Sequence, residues 1–87
     1  MHITPARLPD LAARLAAERK RQGLTRSQTA AVCNVSPSFI RDAESAPERC
    51  TMGKLLLLIQ GLGLALEVNG WSENQGQPIQ EAKRGNP

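Results

Sequence analysis

The chain has 87 residues, enough for one small domain, and a domain of this size buries only about 60% of its unfolded surface. A binding face is therefore expected rather than a deep substrate cavity. Aromatic residues make up 2% of the sequence, too few for the base-stacking surfaces of RRM or OB folds. The formal net charge of +3 is compatible with DNA as a partner.

The first predicted helix covers residues 9–22. Pro9 suits the first turn of a helix, and Leu11, Ala12 and Leu15 follow at helical spacing. Basic residues at 19–21 complement the helix dipole at the end of this segment. Gly23 is the expected stop residue.

Two further helices follow after a short connection each. Thr25 and Gln28 fit the two ends of a capping box that starts the second helix. Asn34 tolerates the left-handed conformation that ends it. Ser36 caps the third helix, and Pro37 takes its first position. Two helices joined by about three residues form a helix-turn-helix.

The rest of the chain changes character twice. Residues 45–50 are interpreted as a connection, and Thr51 caps a fourth helix that ends at Leu62. Residues 64–68 then alternate between apolar and other side chains, which predicts a short strand. Because one strand cannot stand alone, its expected partner is a second copy of the chain. Residues 69–87 have the composition of a disordered tail.

Several classes of function find no support in the sequence. It contains no nucleophile–base pair, paired carboxylates or phosphate loop, so an enzyme is not expected. The two cysteines and one histidine lack metal-ligand spacing, and we expect neither a metal site nor a cofactor. The longest apolar run, 55–59, is too short to span a membrane. We therefore expect a cytoplasmic protein with reduced thiols.

The third helix carries the residues best suited to reading DNA. Ser38, Arg41 and Ser45 share one face at spacings of three and four, and Ser36 and Pro37 lie at its tip. A major groove admits one helix, whose N-terminal residues meet the base edges. We predict base contacts from Ser36, Pro37, Ser38 and Arg41. The alternative for Arg41 is an ordinary solvated charge, and Asp42 beside it would repel phosphates.

The start of the second helix is predicted to contact the DNA backbone. Free N–H groups and the helix dipole favour a phosphate there, and Arg26, Ser27 and Gln28 occupy that position. Such contacts orient a protein without reading the base sequence. Ser45 is predicted to make a further phosphate contact. Arg26 as a plain surface charge is the alternative.

The segment from Gly23 to Glu44 resembles the Cro/repressor helix-turn-helix family. It departs from the family pattern at Arg26, where Gln is usual, at Asn34, where Gly is usual, and at Ala43, where Ile or Trp is usual. With the fourth helix and the strand, the resemblance extends over residues 8–68 to the HipB-type antitoxins. It implies an all-α domain of four to five helices with a short C-terminal β-strand.

The resemblance also implies partners and residue roles. Glu44 is expected to form a structural ion pair with Arg19. Residues 64–68 are expected to pair across a homodimer, with Leu64, Leu66 and Val68 as the dimerisation residues. The expected partners are double-stranded DNA with an inverted-repeat operator and a HipA-like kinase toxin. Trp71 is a candidate for contact with that partner, or packs back on the dimer.

The sequence therefore predicts a bacterial, nucleoid-associated transcriptional repressor. It would bind specific DNA as a homodimer, regulate its own operon and act as the antitoxin of a HipA-like kinase. The alternative is a protein-interaction module that neutralises or scaffolds a partner and binds DNA poorly. The steepness of the salt dependence of DNA binding distinguishes the two.

Overall fold

Four α-helices make up most of the structure, a computed structural model that describes residues 2–70. They are α1 (Leu8–Arg21), α2 (Arg26–Cys33), α3 (Pro37–Ser45) and α4 (Met52–Gly61). Short 3₁₀ helices precede α1 at Pro5–Arg7 and α4 at Pro47–Arg49. The prediction of an all-helical domain is confirmed for residues 2–70, and α1 and α4 begin and end within one residue of their predicted limits.

Side-chain hydroxyls start three of the four helices. The Thr25 and Ser36 hydroxyls each accept the backbone N–H three residues ahead at 3.1 Å, and Thr51 does the same at 3.4 Å. The Gln28 side chain completes the capping box by accepting the Thr25 N–H at 2.8 Å. Each cap satisfies donors that a helix start otherwise leaves unpaired, so the boundaries of α2, α3 and α4 follow from local sequence.

The turn between α2 and α3 depends on Asn34. Its φ is 60°, and it is the one non-glycine residue with positive φ within residues 2–70. The following N–H, of Val35, donates to the carbonyl of Ala30 at 3.0 Å, which closes the end of α2. Asparagine adopts this conformation more readily than other side chains. It therefore replaces the glycine usual in the resembled family.

The core draws one or more apolar side chains from each helix. Leu15 of α1, Ile40 of α3 and Leu58 of α4 are at most 1% exposed. Fully burying such a side chain is worth about 1.5–3 kcal/mol. The other core residues are Ala30, Cys33, Phe39, Ala43, Leu55, Ile59 and Leu62.

One polar residue has no exposed surface. Thr29 of α2 is fully buried, and its hydroxyl donates to the carbonyl of Thr25 at 2.9 Å. The hydroxyl is therefore satisfied inside its own helix, and burial of the group costs little. The apolar pattern of α2 had given no sign that this position faces the core.

The contact between α2 and α4 depends on the absence of a side chain at Gly61. A Cβ at this position would lie 2.3 Å from the Cys33 Sγ and 3.2 Å from the Cys33 Cα. Cys33 itself donates its thiol hydrogen to the carbonyl of Leu58 at 3.7 Å. Glycine ordinarily weakens a helix, but Gly61 is also the point where α2 and α4 meet.

A polar chain joins α1 to the end of α4. The Gln22 amide donates to the Leu62 carbonyl and to the Glu18 carboxylate, both at 2.8 Å. Arg21 donates to the same carboxylate at 2.6 Å. Chiefly because of that bond, and also of the one from Gln22, the pKa of Glu18 is lowered to about 2. Glu18 thus stays ionised and holds the Gln22 amide in place.

Residues 64–70, the described part of the segment after α4, form no strand within the single chain. Residues 64–69 have no regular secondary structure, and Leu64 packs against the core. Leu66 is 43% exposed and Val68 is 75% exposed. The strand and its pairing stay predictions, because a strand needs the backbone of a partner. Trp71 and most of the predicted tail lie outside the described residues.

Replacing Gly61 with alanine is expected to destabilise the protein by about 1–3 kcal/mol, because the new methyl group overlaps Cys33. The matched control is Gly53→Ala in the same helix, where a Cβ meets nothing within 4 Å. Alanine there should stabilise the helix by about 0.5–1 kcal/mol. Chemical denaturation measures both. Equal changes in the free energy of unfolding at the two glycines would show that the close α2–α4 contact at Gly61 does not determine the stability.

Val68→Asp is expected to convert a dimeric protein into a folded monomer. The side chain touches little in the single chain, whereas pairing of residues 64–68 across the dimer would bury the new carboxylate, which costs free energy unless the charge is paired. Sedimentation velocity measures the mass, and circular dichroism checks the helices. Val32→Asp is the control, since Val32 is also well exposed, on α2. A full dimer for Val68→Asp would contradict the predicted pairing.

Candidate nucleic-acid interface

One face of helix α3 is buried against the rest of the domain, and the opposite face is exposed to solvent. Phe39, Ile40 and Ala43 are buried, and α3 packs against both α1 and α2. The opposite face consists of polar or small side chains that are all exposed: Pro37, Ser38, Arg41 and Ser45. The predicted base-contact residues thus lie on one surface. We call this surface, together with Ser36, the α3 face.

The serine hydroxyls of the α3 face differ in the hydrogen bonds that they already form within the protein. The Ser36 hydroxyl accepts the Phe39 N–H and lies 3.1 Å from the Ser38 hydroxyl. The Ser45 hydroxyl donates to the Arg41 carbonyl at 2.8 Å. A phosphate oxygen can only accept hydrogen bonds. The contact predicted for Ser45 therefore requires its hydroxyl to leave the Arg41 carbonyl.

Arg41 has an acidic neighbour on the same helix. Its Nε lies 3.8 Å from a carboxylate oxygen of Asp42, and the two side chains are 65% and 55% exposed. An exposed pair at this distance is worth less than about 1 kcal/mol. Asp42 therefore lowers the local positive charge but leaves Arg41 able to bind a ligand.

The start of α2 presents a second group of exposed polar side chains. Arg26, Ser27 and Gln28 are all exposed, and they occupy the first turn of the helix. The Gln28 side-chain oxygen is held by the Thr25 N–H, which leaves the amide hydrogens of Gln28 as donors. Donors at a helix start suit an anion. This is the geometry that a phosphate contact requires.

A buried ion pair joins α1 to α3. Arg19 donates from Nε to the Glu44 carboxylate at 2.6 Å and from Nη2 at 3.2 Å. Its Nη1 donates to the Leu24 carbonyl at 2.9 Å. The two side chains are 10% and 5% exposed. The two helices and the connection before α2 are thereby fixed to one another.

The Glu44 carboxylate also accepts from Arg26. The Arg26 Nε lies 3.1 Å from a Glu44 oxygen, and the Arg26 side chain is 52% exposed. Burial alone would raise the pKa of Glu44, but the hydrogen bonds from Arg19 and Arg26 outweigh it and lower the pKa. Glu44 is therefore an anion bound by two cations, one buried and one exposed.

The remaining reactive groups form no site within residues 2–70. Cys33 and Cys50 are free thiols, and burial is the main cause that raises the pKa of each. No group of three His, Cys, Asp or Glu side chains in the described part of the chain is placed to hold a metal ion. None of the helices in that part is long and apolar enough to cross a membrane.

The helix-turn-helix domain family matches residues 10–68 of the sequence. The chain belongs to the helix-turn-helix domain family. No curated protein matches it. Among solved structures it is similar in fold to one titled as a HipA-HipB-O2-O3 complex, with a TM-score of 0.69 and 22% sequence identity. That match covers 78% of this chain and 93% of the other.

Two further structures share this fold. One, described as an MDT protein, has the same TM-score of 0.69 and 22% identity, over 78% of this chain and 93% of that one. A HipB-O1-O2 complex gives a TM-score of 0.68 and 22% identity, over 78% and 96% of the two chains. The sequence-based assignment to a helix-turn-helix family with a HipB-type fold is confirmed.

Sequence reasoning located the surfaces of this helix-turn-helix protein but missed three contacts. The bond from Arg26 to Glu44, the Arg41–Asp42 pair and the Ser45 bond to the Arg41 carbonyl were not expected. The last two connect residues on one helix turn, and helical spacing carried a signal for Ser45. For Arg26 and Glu44, which lie on different helices, the sequence held no signal.

Glu44→Gln is expected to lower the stability at neutral pH by about 3–5 kcal/mol, because the buried Arg19 loses its counter-charge. The Glu44 pKa is lowered from 4.5 in the folded state. Its contribution is therefore full above pH 4.5 and is lost as the pH falls through the folded-state pKa. The stability difference between the wild type and Glu44→Gln should shrink on acidification.

Urea denaturation between neutral and acidic pH measures this difference. Glu67→Gln is the control, because Glu67 is exposed and forms no ion pair with the residues that the structure describes. Its curve should follow the wild-type curve. A Glu44→Gln difference that stays constant with pH would contradict an ionised Glu44.

Proposed function

We propose that this protein is a sequence-specific DNA-binding transcriptional repressor. The observation that carries the proposal is the α3 face: a helix anchored by buried Phe39, Ile40 and Ala43 that presents short polar side chains and Arg41 to solvent. Such a helix fits a major groove. Membership in the helix-turn-helix domain family supports the same use of α3.

Each surface has a separate role in the proposal. Arg41 binds guanine through its O6 and N7 atoms, and Ser36, Pro37 and Ser38 contact neighbouring base edges. Arg26, Ser27, Gln28 and Ser45 contact phosphates and orient the domain. Two copies joined through Leu64, Leu66 and Val68 would present two such surfaces to an inverted repeat. Half-sites would then be spaced by about one helical turn or a multiple of it.

We further propose that the repressor is the antitoxin of a HipA-like kinase and regulates its own operon. The support is the HipB-type sequence pattern over residues 8–68 and the fold shared with the structure of a HipA-HipB-O2-O3 complex. Coexpression with a HipA-like kinase of the same bacterium tests this role. Restored growth and copurification would support it, and growth arrest without copurification would contradict it.

One observation favours a second function. Asp42 places a carboxylate beside Arg41 of the α3 face, which weakens the attraction of this surface for DNA. A protein-interaction module that binds DNA poorly would tolerate such a residue. A repressor making several phosphate contacts loses about 10³-fold or more in affinity between 50 and 200 mM salt. A shallow salt dependence would favour the interaction module.

Selection of binding sites from a random duplex library at roughly physiological salt tests the repressor directly. The expected result is an enriched inverted repeat, whose spacing reports the dimer geometry. Circular dichroism and thermal unfolding of the same sample confirm that the protein is folded. Absence of any enriched sequence from folded protein would contradict the proposal and favour the interaction module.

Arg41→Ala is expected to cost about 1–3 kcal/mol of affinity for the enriched site and to relax preference at one base position. The matched control is Arg7→Ala, which removes an exposed arginine that pairs with Asp10 outside the α3 face. Fluorescence anisotropy with the selected duplex and single-base variants measures both. An unchanged affinity and preference for Arg41→Ala would remove Arg41 from base reading.

A further inference from the structure

The two arginines that bind Glu44 form different numbers of hydrogen bonds with it. Arg19 commits Nε and Nη2 to the carboxylate and Nη1 to the Leu24 carbonyl. Arg26 commits only Nε, and its two Nη groups have no hydrogen-bond partner among residues 2–70. Arg19 is thus fully used for structure, whereas Arg26 keeps most of its donors.

Geometry gives the single Arg26–Glu44 bond a consequence. The guanidinium group is planar and carries its five donors in a rigid fork. When Nε is held by Glu44, the direction of the opposite Nη edge is restricted as well. Arg26 is the first residue of α2, and the start of a helix favours an anion. A lysine could supply the charge but has no second edge to hold.

Charge makes the arrangement suitable for an anion. The Glu44 carboxylate would neutralise Arg26 if the two stood alone. Arg19 adds a second positive charge against the same carboxylate, so the three groups together keep a net charge of +1. Arg19 and Glu44 are nearly fully buried, while Arg26 is half exposed. The surplus positive charge is therefore presented to solvent through Arg26.

From this geometry we infer that Glu44 is a positioning residue, which orients the Arg26 guanidinium toward a phosphate of the DNA backbone. The inference rests on the proposed function and adds a role that an ion pair between α1 and α3 does not require. It also accounts for arginine where the resembled family has glutamine. Arginine at this position can be bound by Glu44 through Nε and still donate hydrogen bonds from its Nη groups to a phosphate.

The test compares Arg26→Lys with Arg26→Ala on the selected duplex. Loss of one charge-assisted bond predicts about a tenfold weaker Kd for Arg26→Ala. Arg26→Lys keeps the charge, but it should still show at least half of that loss of affinity on a logarithmic scale. Both variants should stay folded, because the exposed Arg26 pair adds little stability. Thermal unfolding checks this expectation.

Arg21→Lys is the matched control. Arg21 is also an exposed arginine held by a carboxylate, that of Glu18, but it lies at the end of α1. Its replacement by lysine should leave the Kd unchanged. Equal loss for Arg21→Lys and Arg26→Lys would show that the effect is general rather than specific to the start of α2.

A second measurement tests the role of Glu44 without DNA. The Arg26 Nε–H should give a side-chain NMR signal protected from exchange with water in the free protein, and Glu44→Gln should weaken that protection. An unprotected signal in the wild type would overturn the inference. So would wild-type affinity in Arg26→Lys when Arg26→Ala binds weakly, because charge alone would then suffice.

The two proposals fail in different ways. Wild-type affinity in Arg26→Ala, with a duplex that the wild type binds specifically, would overturn the role of Arg26 and leave the repressor proposal intact. A folded wild-type protein that binds no duplex would overturn the repressor proposal and the inference with it.

Discussion

The buried pair between Arg19 and Glu44 is the interaction on which the rest of the structure depends. It joins the C-terminal part of α1 to the C-terminal part of α3, and the third bond of Arg19 holds the Leu24 carbonyl just before α2. One guanidinium group therefore connects α1, α3 and the residue that precedes the cap of α2. A buried pair of this kind adds little net stability compared with apolar residues. Its value lies in the single arrangement that it permits.

That arrangement is what DNA recognition by α3 would need. Phe39 and Ile40 bury one side of α3, but apolar packing alone tolerates small rotations of a helix in its groove. Directional bonds to Glu44 resist them, because both carboxylate oxygens are engaged. The α3 face and the start of α2 thus keep a constant relation. This constant relation would allow the proposed base contacts and phosphate contacts to be made together.

Local chemistry explains how much of this fold was predictable. The hydroxyl caps at Thr25, Ser36 and Thr51 and the left-handed residue Asn34 act on neighbours within a few positions. Their effects can be inferred from short segments of sequence. The predicted helices of the helix-turn-helix therefore agree with α2 and α3.

Contacts between distant residues were less accessible. Whether Gly61 ends a helix or admits the Cys33 side chain depends on how α4 lies against α2, which no short segment determines. Thr29 is similar, since its hydroxyl is satisfied inside α2 and leaves its methyl group free to join the core. The strand at 64–68 is harder still to predict, because its hydrogen bonds would be made with a second chain.

Under the proposed function, Asp42 trades affinity for discrimination between DNA sequences. On any duplex it would repel nearby phosphates and compete for Arg41. The exposed pair costs little to break, at less than about 1 kcal/mol, whereas a good guanine contact gains about 1–3 kcal/mol. Where Arg41 meets guanine and Asp42 can accept from a cytosine amino group, the cost is recovered. Where it meets other bases, the repulsion remains. An acidic residue on a recognition surface thereby widens the difference between cognate and other DNA, which is the quantity that a repressor must maximise.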